Sequence, residues 1–375
     1  MEAFLREHFG YLSARRRLEV FDKAINHTVL PRQSVLDLGC GTGVLGLLCL
    51  QAGAGHVYAV DSSSALEVAR EALSQSWWAD RVEFIRGSSF QVELPHKVDL
   101  VICDHVGYFG FDYGLIALLA DARHRFLKPG GKLVPRRLQL QVAPVESGPC
   151  HELVQAWTAP CVPSEFHWLR QHSINTKHPV KLKAEELLSS PAELADIDLA
   201  AENPEFFSWA VQLKVARDGI VHGIGGWFAC ELAEGVWMTN SPASEDAIER
   251  SQVFLPIDGA LPVKEGDVLD LTIMARPADN LIVWKVHHPA SGRRFSQSTW
   301  HGDLLGQEHL ARSDPEHVPR VSRTAEARTI VLGYCDGSRS VAEVKEAVLK
   351  QHPHLFPTHE EIARFVTGVL SRDTH

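Results

Sequence analysis

The stretch VLDLGCGTGVLG (35–46) constrains the fold of this chain more than any other. An apolar run passes Asp37, meets glycines at 39, 41 and 43, and continues into an apolar helical pattern. A strand that feeds a glycine-rich turn and then a helix is the opening unit of a doubly wound α/β sheet. Glycine in such a turn adopts positive φ and lets a ligand come close to the backbone. The turn alone is a weak signal, and its context strengthens it. A second apolar run, HVYAVD, ends at Asp61 with Ser62 next, about 20 residues on, where an acid can hold the two hydroxyls of a ribose. A third, RVEFIRG, ends at Ser88 and Ser89, and a fourth, VDLVIC, ends at Asp104. LKPGGKLVP then supplies a turn and a further strand. The polar residues gather at strand ends, which is where open α/β sheets bind their ligands.

A chain of 375 residues exceeds what one ordinary core accommodates, so two or three domains are expected. Up to about residue 142 helical and strand patterns alternate. From about 143 to 310 short β-like runs and turns dominate, around a helical stretch expected near KLKAEELLSSPAELA. The polar, proline-bearing ARSDPEHVPRVSRT reads as a linker, and residues 320–375 are helical again. The formal net charge of -10 argues against general nucleic-acid binding. The 7 cysteines show no CxxC spacing, so reduced thiols in a cytoplasmic protein are expected. The charged opening MEAFLREHFGYLSARRR leads us to expect no signal peptide, and the apolar run VLGLLCLQAGA is too short to span a bilayer. Nothing suggests a metal site: His287 and His288 are adjacent, lack the partners of a metal site and read as solvated.

With Asp37 before GCGTG, the glycine loop is not of the GxGxxG type that cradles a dinucleotide. It resembles that of class I S-adenosylmethionine (SAM) methyltransferases over about the first 140 residues. The resemblance implies a Rossmann-like core, with the turn of Gly39, Gly41 and Gly43 under the methionine part of SAM, Asp61 on the ribose and Ser88 and Ser89 along the adenine. The resemblance narrows further. VDLVICDHVGYFGFDYGLI, LKPGGKLVPRRLQLQVAPVES, GIGGWFACELAEGVWMTNSP and SQVFLPIDGALPVKEGDVL are similar to segments of protein arginine methyltransferases, which follow the core with a β-barrel. Near the N-terminus HFG and RRRLEVFDKAI resemble that family's cofactor-covering helices. This similarity implies that Arg17 meets the methionine carboxylate and that His8 contacts the cofactor.

The acceptor half departs from the family. Its loop carries two glutamates that clamp the substrate guanidinium. Asp104 stands at the first, shorter by one methylene, and Tyr113, uncharged at neutral pH, stands at the second. Asp112 is one residue away. The family's Thr-His-Trp loop is replaced by a segment with Ile248, Glu249 and Arg250. Asp104 and Tyr113 are thus the expected catalytic pair, Asp104 as clamp or general base. The expected reaction is methylation of a side-chain nitrogen, arginine first, in a protein or peptide. A small natural product as acceptor, and a SAM-binding regulator without turnover, stay open.

Residues 320–375 carry two capping boxes, Ser340 with Glu343 and Thr358 with Glu361, each opening an amphipathic helix. With the turn CDGSRS they resemble the winged helix of the peptide chaperone of PQQ biosynthesis and of leader-peptide recognition elements. A ribosomally made precursor peptide is therefore one expected partner. Nucleic acid and membrane are not expected partners, and a homodimer is compatible with the sequence.

Overall fold

The structure, a computed structural model, describes residues 2–374. Contact density divides it into two units, Met1–Asp303 and Leu304–His375.

The first unit opens with two helices, α1 (Glu2–Ser13) and α2 (Arg15–Thr28). A doubly wound sheet comes next, in the order β1 (Ser34–Leu38), α3 (Val44–Gln51), β2 (His56–Asp61), α4 (Ala65–Ser74), β3 (Val82–Arg86), β4 (Val98–Ile102), α5 (Leu115–Arg125) and β5 (Leu127–Val134). The strands are parallel and lie in the order β3-β2-β1-β4-β5. Strand order therefore reverses at β1, and the crevice beside the ends of β1 and β4 is the topological switch point. β1 and β4 are apolar almost throughout because helices cover both faces of a parallel sheet.

The chain then builds two antiparallel sheets from β6 (Arg137–Val145), α6 (Gly148–Gln155), α7 (Leu169–Ile174), β7 (His178–Val180), β8 (Ala192–Asp198), β9 (Phe207–Lys214), β10 (Gly219–Ala233), β11 (Val236–Thr239), β12 (Gln252–Val263), β13 (Val268–Arg276), β14 (Leu281–His288) and β15 (Arg293–Ser298). One sheet runs β7-β12-β10-β6-β8 with β11 paired to β10, and the other runs β15-β14-β13-β9. Strands such as β13 alternate buried and less buried residues, the period-two signature of a sheet with one face on the core. Leu140, Ile224, Leu213, Ile273 and Trp284 from both sheets join one apolar core, which gives a barrel-like subdomain.

Two sequence expectations change here. The boundary placed at 142 falls inside β6, which pairs with β10 and β8, so the core's last strand ends eight positions earlier, at Val134. The helix expected near KLKAEELLSSPAELA shrinks to a single 3-10 turn at Ala184–Glu186. Pro191 ends helical continuity, and the following AELADID pairs antiparallel with β6 instead. The α-helices α6 and α7 lie before that stretch.

The second unit continues from α8 (Thr299–Gly302), at the end of the first, through α9 (Gln307–Arg312) to α10 (Arg323–Gly333), α11 (Val341–Gln351) and α12 (His359–Asp373). The last three pack around Ala327, Val331, Val344, Val348, Ile362, Val366 and Val369. Both capping boxes form: the Ser340 and Thr358 hydroxyls each accept the backbone N–H three residues on, and Glu343 and Glu361 reach back. The winged helix expected for 320–375 is not shown. A wing is a β-hairpin, and no strand occurs among the described residues of this unit. Residues 336–340 hold a tight turn instead, with Gly337 at φ +76° and Arg339 paired to Asp336 at 2.5 Å.

Candidate active site

The glycine turn forms as the sequence suggests. Gly39, Gly41 and Gly43 have φ of +70°, +54° and +76°, values that disfavour any side chain. Asp37 reaches past the turn, and its Oδ2 accepts the N–H of Gly46 in the first turn of α3 at 2.8 Å, where a helix leaves N–H groups unpaired. Burial pushes the Asp37 carboxyl up to about 7 despite that hydrogen bond. Asp61, at the end of β2, accepts the N–H of Gly41 at 2.8 Å through Oδ2 and that of Ser63 at 2.7 Å through Oδ1. Each oxygen retains acceptor capacity for a ligand hydroxyl.

A cleft of about 260 Å³ opens here. Its walls include Gly39, Asp61, Ser62, Ser88, Ser89 and His105. Five of the expected cofactor residues therefore converge on one space. The ring of His105 lies against Gly39, so that a Cβ there would fall 1.9 Å from Cε1. The close approach that Gly39 permits is thus made by this imidazole, which sequence reasoning did not single out. Burial holds His105 below its ordinary pKa, and its Nδ1 lies 3.5 Å from Cys103 Sγ. His8 belongs to the same neighbourhood: its Cε1 is 3.9 Å from the position of a Cβ on Gly41. A turn of three glycines, an acid with spare acceptor capacity and a polar-walled cleft suit an adenosyl ligand carrying a ribose.

Asp104, expected from the sequence to face the acceptor, lies two residues past the end of β4. The Asp104 side chain is buried and held by two arginines. Arg17 Nε donates to Oδ2 at 2.5 Å, and Arg250 donates through Nη2 to Oδ2 at 3.0 Å and through Nη1 to Oδ1 at 3.3 Å. Burial by itself would raise the Asp104 pKa, but Arg250 and Arg17 together hold it below the ordinary carboxylate value. A carboxylate stabilised in its charged form is a weak proton acceptor, so the general-base reading of Asp104 loses its support. Arg17 also donates to the Tyr11 carbonyl at 3.2 Å and stacks near Tyr11 and Phe21. Its Nη2 donates to no protein acceptor among the described residues.

Asp112 turns inward, but not toward Asp104's partners. Its Oδ2 accepts the N–H groups of Tyr108 and Phe109, and its Oδ1 pairs with Lys177 at 2.5 Å in a nearly solvent-free contact. It thereby ties the 105–114 loop to the barrel-like subdomain. Position 107 needs glycine, since a Cβ there would fall 2.6 Å from that of Asp112. Tyr113 is 53% exposed and meets the edge of Tyr108, so it is not a core aromatic. Glu249 is exposed and supplies no second acid. Its neighbour Arg250 faces Asp104 instead, a partner that sequence reasoning missed. The one available signal was a cation among the residues that replace the Thr-His-Trp loop.

One further residue departs from expectation. His288 is buried rather than solvated, with Nδ1 2.8 Å from Ser291 Oγ. Its Nε2 lies 3.2 Å from Asp267, within ion-pair distance but without hydrogen-bond alignment. Trp77 is fully exposed, while Trp78 packs partly on the core. Among the described residues there is no cluster of His, Cys, Asp and Glu suited to a metal ion, and no helix is long and apolar enough to cross a membrane.

The parallel sheet with its glycine turn and ribose-suited acid defines a class I SAM-dependent methyltransferase. Residues 35–131 match the family model described as a methyltransferase domain. Residues 137–285 match the one described as the arginine methyltransferase oligomerization subdomain. Among curated relatives, protein arginine N-methyltransferase 1 of Schizosaccharomyces pombe is 28% identical over 253 residues, 65% of this chain and 74% of that protein. The probable protein arginine N-methyltransferase 6 of Arabidopsis thaliana is 35% identical over 285 residues, 74% of this chain and 64% of that protein. Arabidopsis thaliana protein arginine methyltransferase 10 shares the fold with a TM-score of 0.67 at 22% identity, covering 79% of this chain and 98% of that one. The chain is a SAM-dependent methyltransferase of protein arginine methyltransferase-like build.

Proposed function

We propose that the chain transfers a methyl group from SAM to a side-chain nitrogen of a protein or peptide, with arginine as the first acceptor. The observation that carries this reading is the Asp104 carboxylate. It lies at the end of β4, beside the cofactor cleft, and already holds a guanidinium in a two-pronged contact. Bound SAM supplies an electrophilic methyl group on a sulfonium. The residues around it hold and orient. Gly39, Gly41 and Gly43 shape the turn, Asp37 fixes that turn to α3, and Asp61 accepts from the ribose hydroxyls. Ser62, Ser88 and Ser89 line the adenosyl side, His8 covers the turn, and the free nitrogen of Arg17 takes the methionine carboxylate. Transfer needs the acceptor nitrogen in line with the breaking carbon–sulfur bond, and orientation is most of what the protein contributes. Asp104 orients a guanidinium and balances its charge rather than taking its proton, the proton lost on methylation passes to solvent, and Tyr113 hydrogen-bonds the incoming group from the loop's open side.

Labelled SAM offered with peptides carrying a single arginine or a single lysine tests this reading. After hydrolysis, label is expected in methylated arginine. Label confined to lysine or to a small molecule, or SAM binding without any transfer, would replace it. The same proposal extends to partners. The second unit recruits a peptide, a precursor peptide included, through its helical surface, since no strand occurs among its described residues. Tethering then raises local substrate concentration. Removing 304–375 should raise KM for a long substrate and leave that for a short one unchanged; equal loss on both would rule recruitment out. Exposed Leu153, Trp157, Phe166 and Trp168, around α6 and α7, suit a second copy of the chain, and a monomer in sedimentation equilibrium at micromolar concentration would contradict that. A cytoplasmic setting with reduced thiols completes the reading.

A further inference from the structure

The most unusual contact at the acceptor side is the one made by Arg250. It leaves the turn-rich segment between β11 and β12 and turns its guanidinium onto Asp104 as a fork, at 3.0 and 3.3 Å. A guanidinium fork on a carboxylate is also how an arginine acceptor would be held. Asp104 Oδ1 has no other donor among the described residues. Charge bears on the same point. In and around the loop, Arg17 and Arg250 pair with Asp104, and Lys177 pairs with Asp112. A cationic acceptor added to this set would bring a fourth positive charge into a poorly solvated place.

We propose that Arg250 is a specificity-determining residue whose guanidinium holds, on Asp104, the place of the acceptor guanidinium, so that an arginine acceptor binds only by displacing it. The proposal rests on the reading of the 104–114 loop as the acceptor site. Displacement is feasible because Arg250 hangs from a loop and not from a strand. When it leaves, Arg17 stays on Oδ2, so Asp104 is never an unpaired buried charge. An arginine held by further peptide contacts can displace Arg250, whereas an isolated guanidinium cannot.

The test uses the full chain saturated with S-adenosylhomocysteine and titrated with ethylguanidinium, beside a transfer assay on a single-arginine peptide. Arg250→Met keeps an aliphatic stem and removes the fork. It should bind ethylguanidinium at least tenfold more tightly than the wild-type chain and lower the peptide KM by a similar factor. Adding Asp104→Asn should abolish the gain. Unchanged ethylguanidinium affinity in Arg250→Met, with S-adenosylhomocysteine still bound as in wild type, would overturn the proposal. Arg250→Ala replaces Arg250→Met should the latter fail to fold. A gain in guanidinium binding without methylation of the peptide by either protein would leave the displacement intact and refute arginine as acceptor. Methylation by both proteins at equal KM, without a gain in binding, would do the reverse.

Discussion

Asp104→Asn is expected to destabilise the chain by about 3–5 kcal/mol, the usual cost of removing one member of a buried ion pair. The substitution preserves shape and leaves Arg17 and Arg250 facing each other across an uncharged amide. The Asp104 side chain is 8% exposed, that of Arg17 7% and that of Arg250 16%, so water cannot take over the missing charge. The pH dependence has a definite sign. The folded-state pKa of Asp104 lies below its ordinary 3.8, so its contribution is fully present above that value and is lost as pH falls through the folded pKa. The stability gap between wild type and Asp104→Asn should therefore be full at neutral pH and narrow below about pH 4. Turnover should fall as well, by about 100-fold or more, since a misplaced acceptor loses alignment with the methyl group. Urea denaturation across pH, with single-turnover transfer at neutral pH, checks both. A loss of stability under about 1 kcal/mol with turnover within about threefold would mean that Asp104 only ends a turn.

Asp61→Ala should weaken SAM binding by about tenfold or more. Two losses combine. Ligand hydroxyls lose a charged acceptor, a contact of about 1.5–3 kcal/mol. The N–H groups of Gly41 and Ser63 also lose the oxygens that fix the turn and the start of α4. Asp61→Asn should fall between, because an amide oxygen replaces only one acceptor and the amide nitrogen opposes the other. Titration calorimetry with SAM reads the difference directly, and wild-type affinity in Asp61→Ala would remove the ribose assignment.

The cofactor half of this molecule was legible because its chemistry is local. A glycine turn, its strand and the acid at the next strand end are each written within a few residues, and their order along the chain fixes their order in the sheet. Asp61, Ser62, Ser88 and Ser89 consequently fell on one cleft. The acceptor half depends on pairs distant in sequence. Arg250 lies 146 residues from Asp104, and Lys177 lies 65 from Asp112. No local pattern announces such partners, so Asp104 read as a candidate base although two guanidiniums fix it in its charged form. The stretch at 181–195 misled for a related reason. Its composition favours helix, but β6 offers an unpaired edge, and tertiary pairing overrode propensity. In the second unit the capping boxes were readable to the residue, whereas the absence of a wing was not, because a capping motif specifies where a helix begins and carries no information about the chain beyond its last turn.

A crystal structure of the chain with S-adenosylhomocysteine tests the central claim most directly. The account predicts the ribose hydroxyls on Asp61, the adenine beside Ser88 and Ser89, the amino-acid carboxylate on Arg17, and the sulfur directed toward the Asp104 carboxylate. A nucleoside bound elsewhere, or a sulfur turned away from Asp104 with the 104–114 loop closed between them, would contradict it.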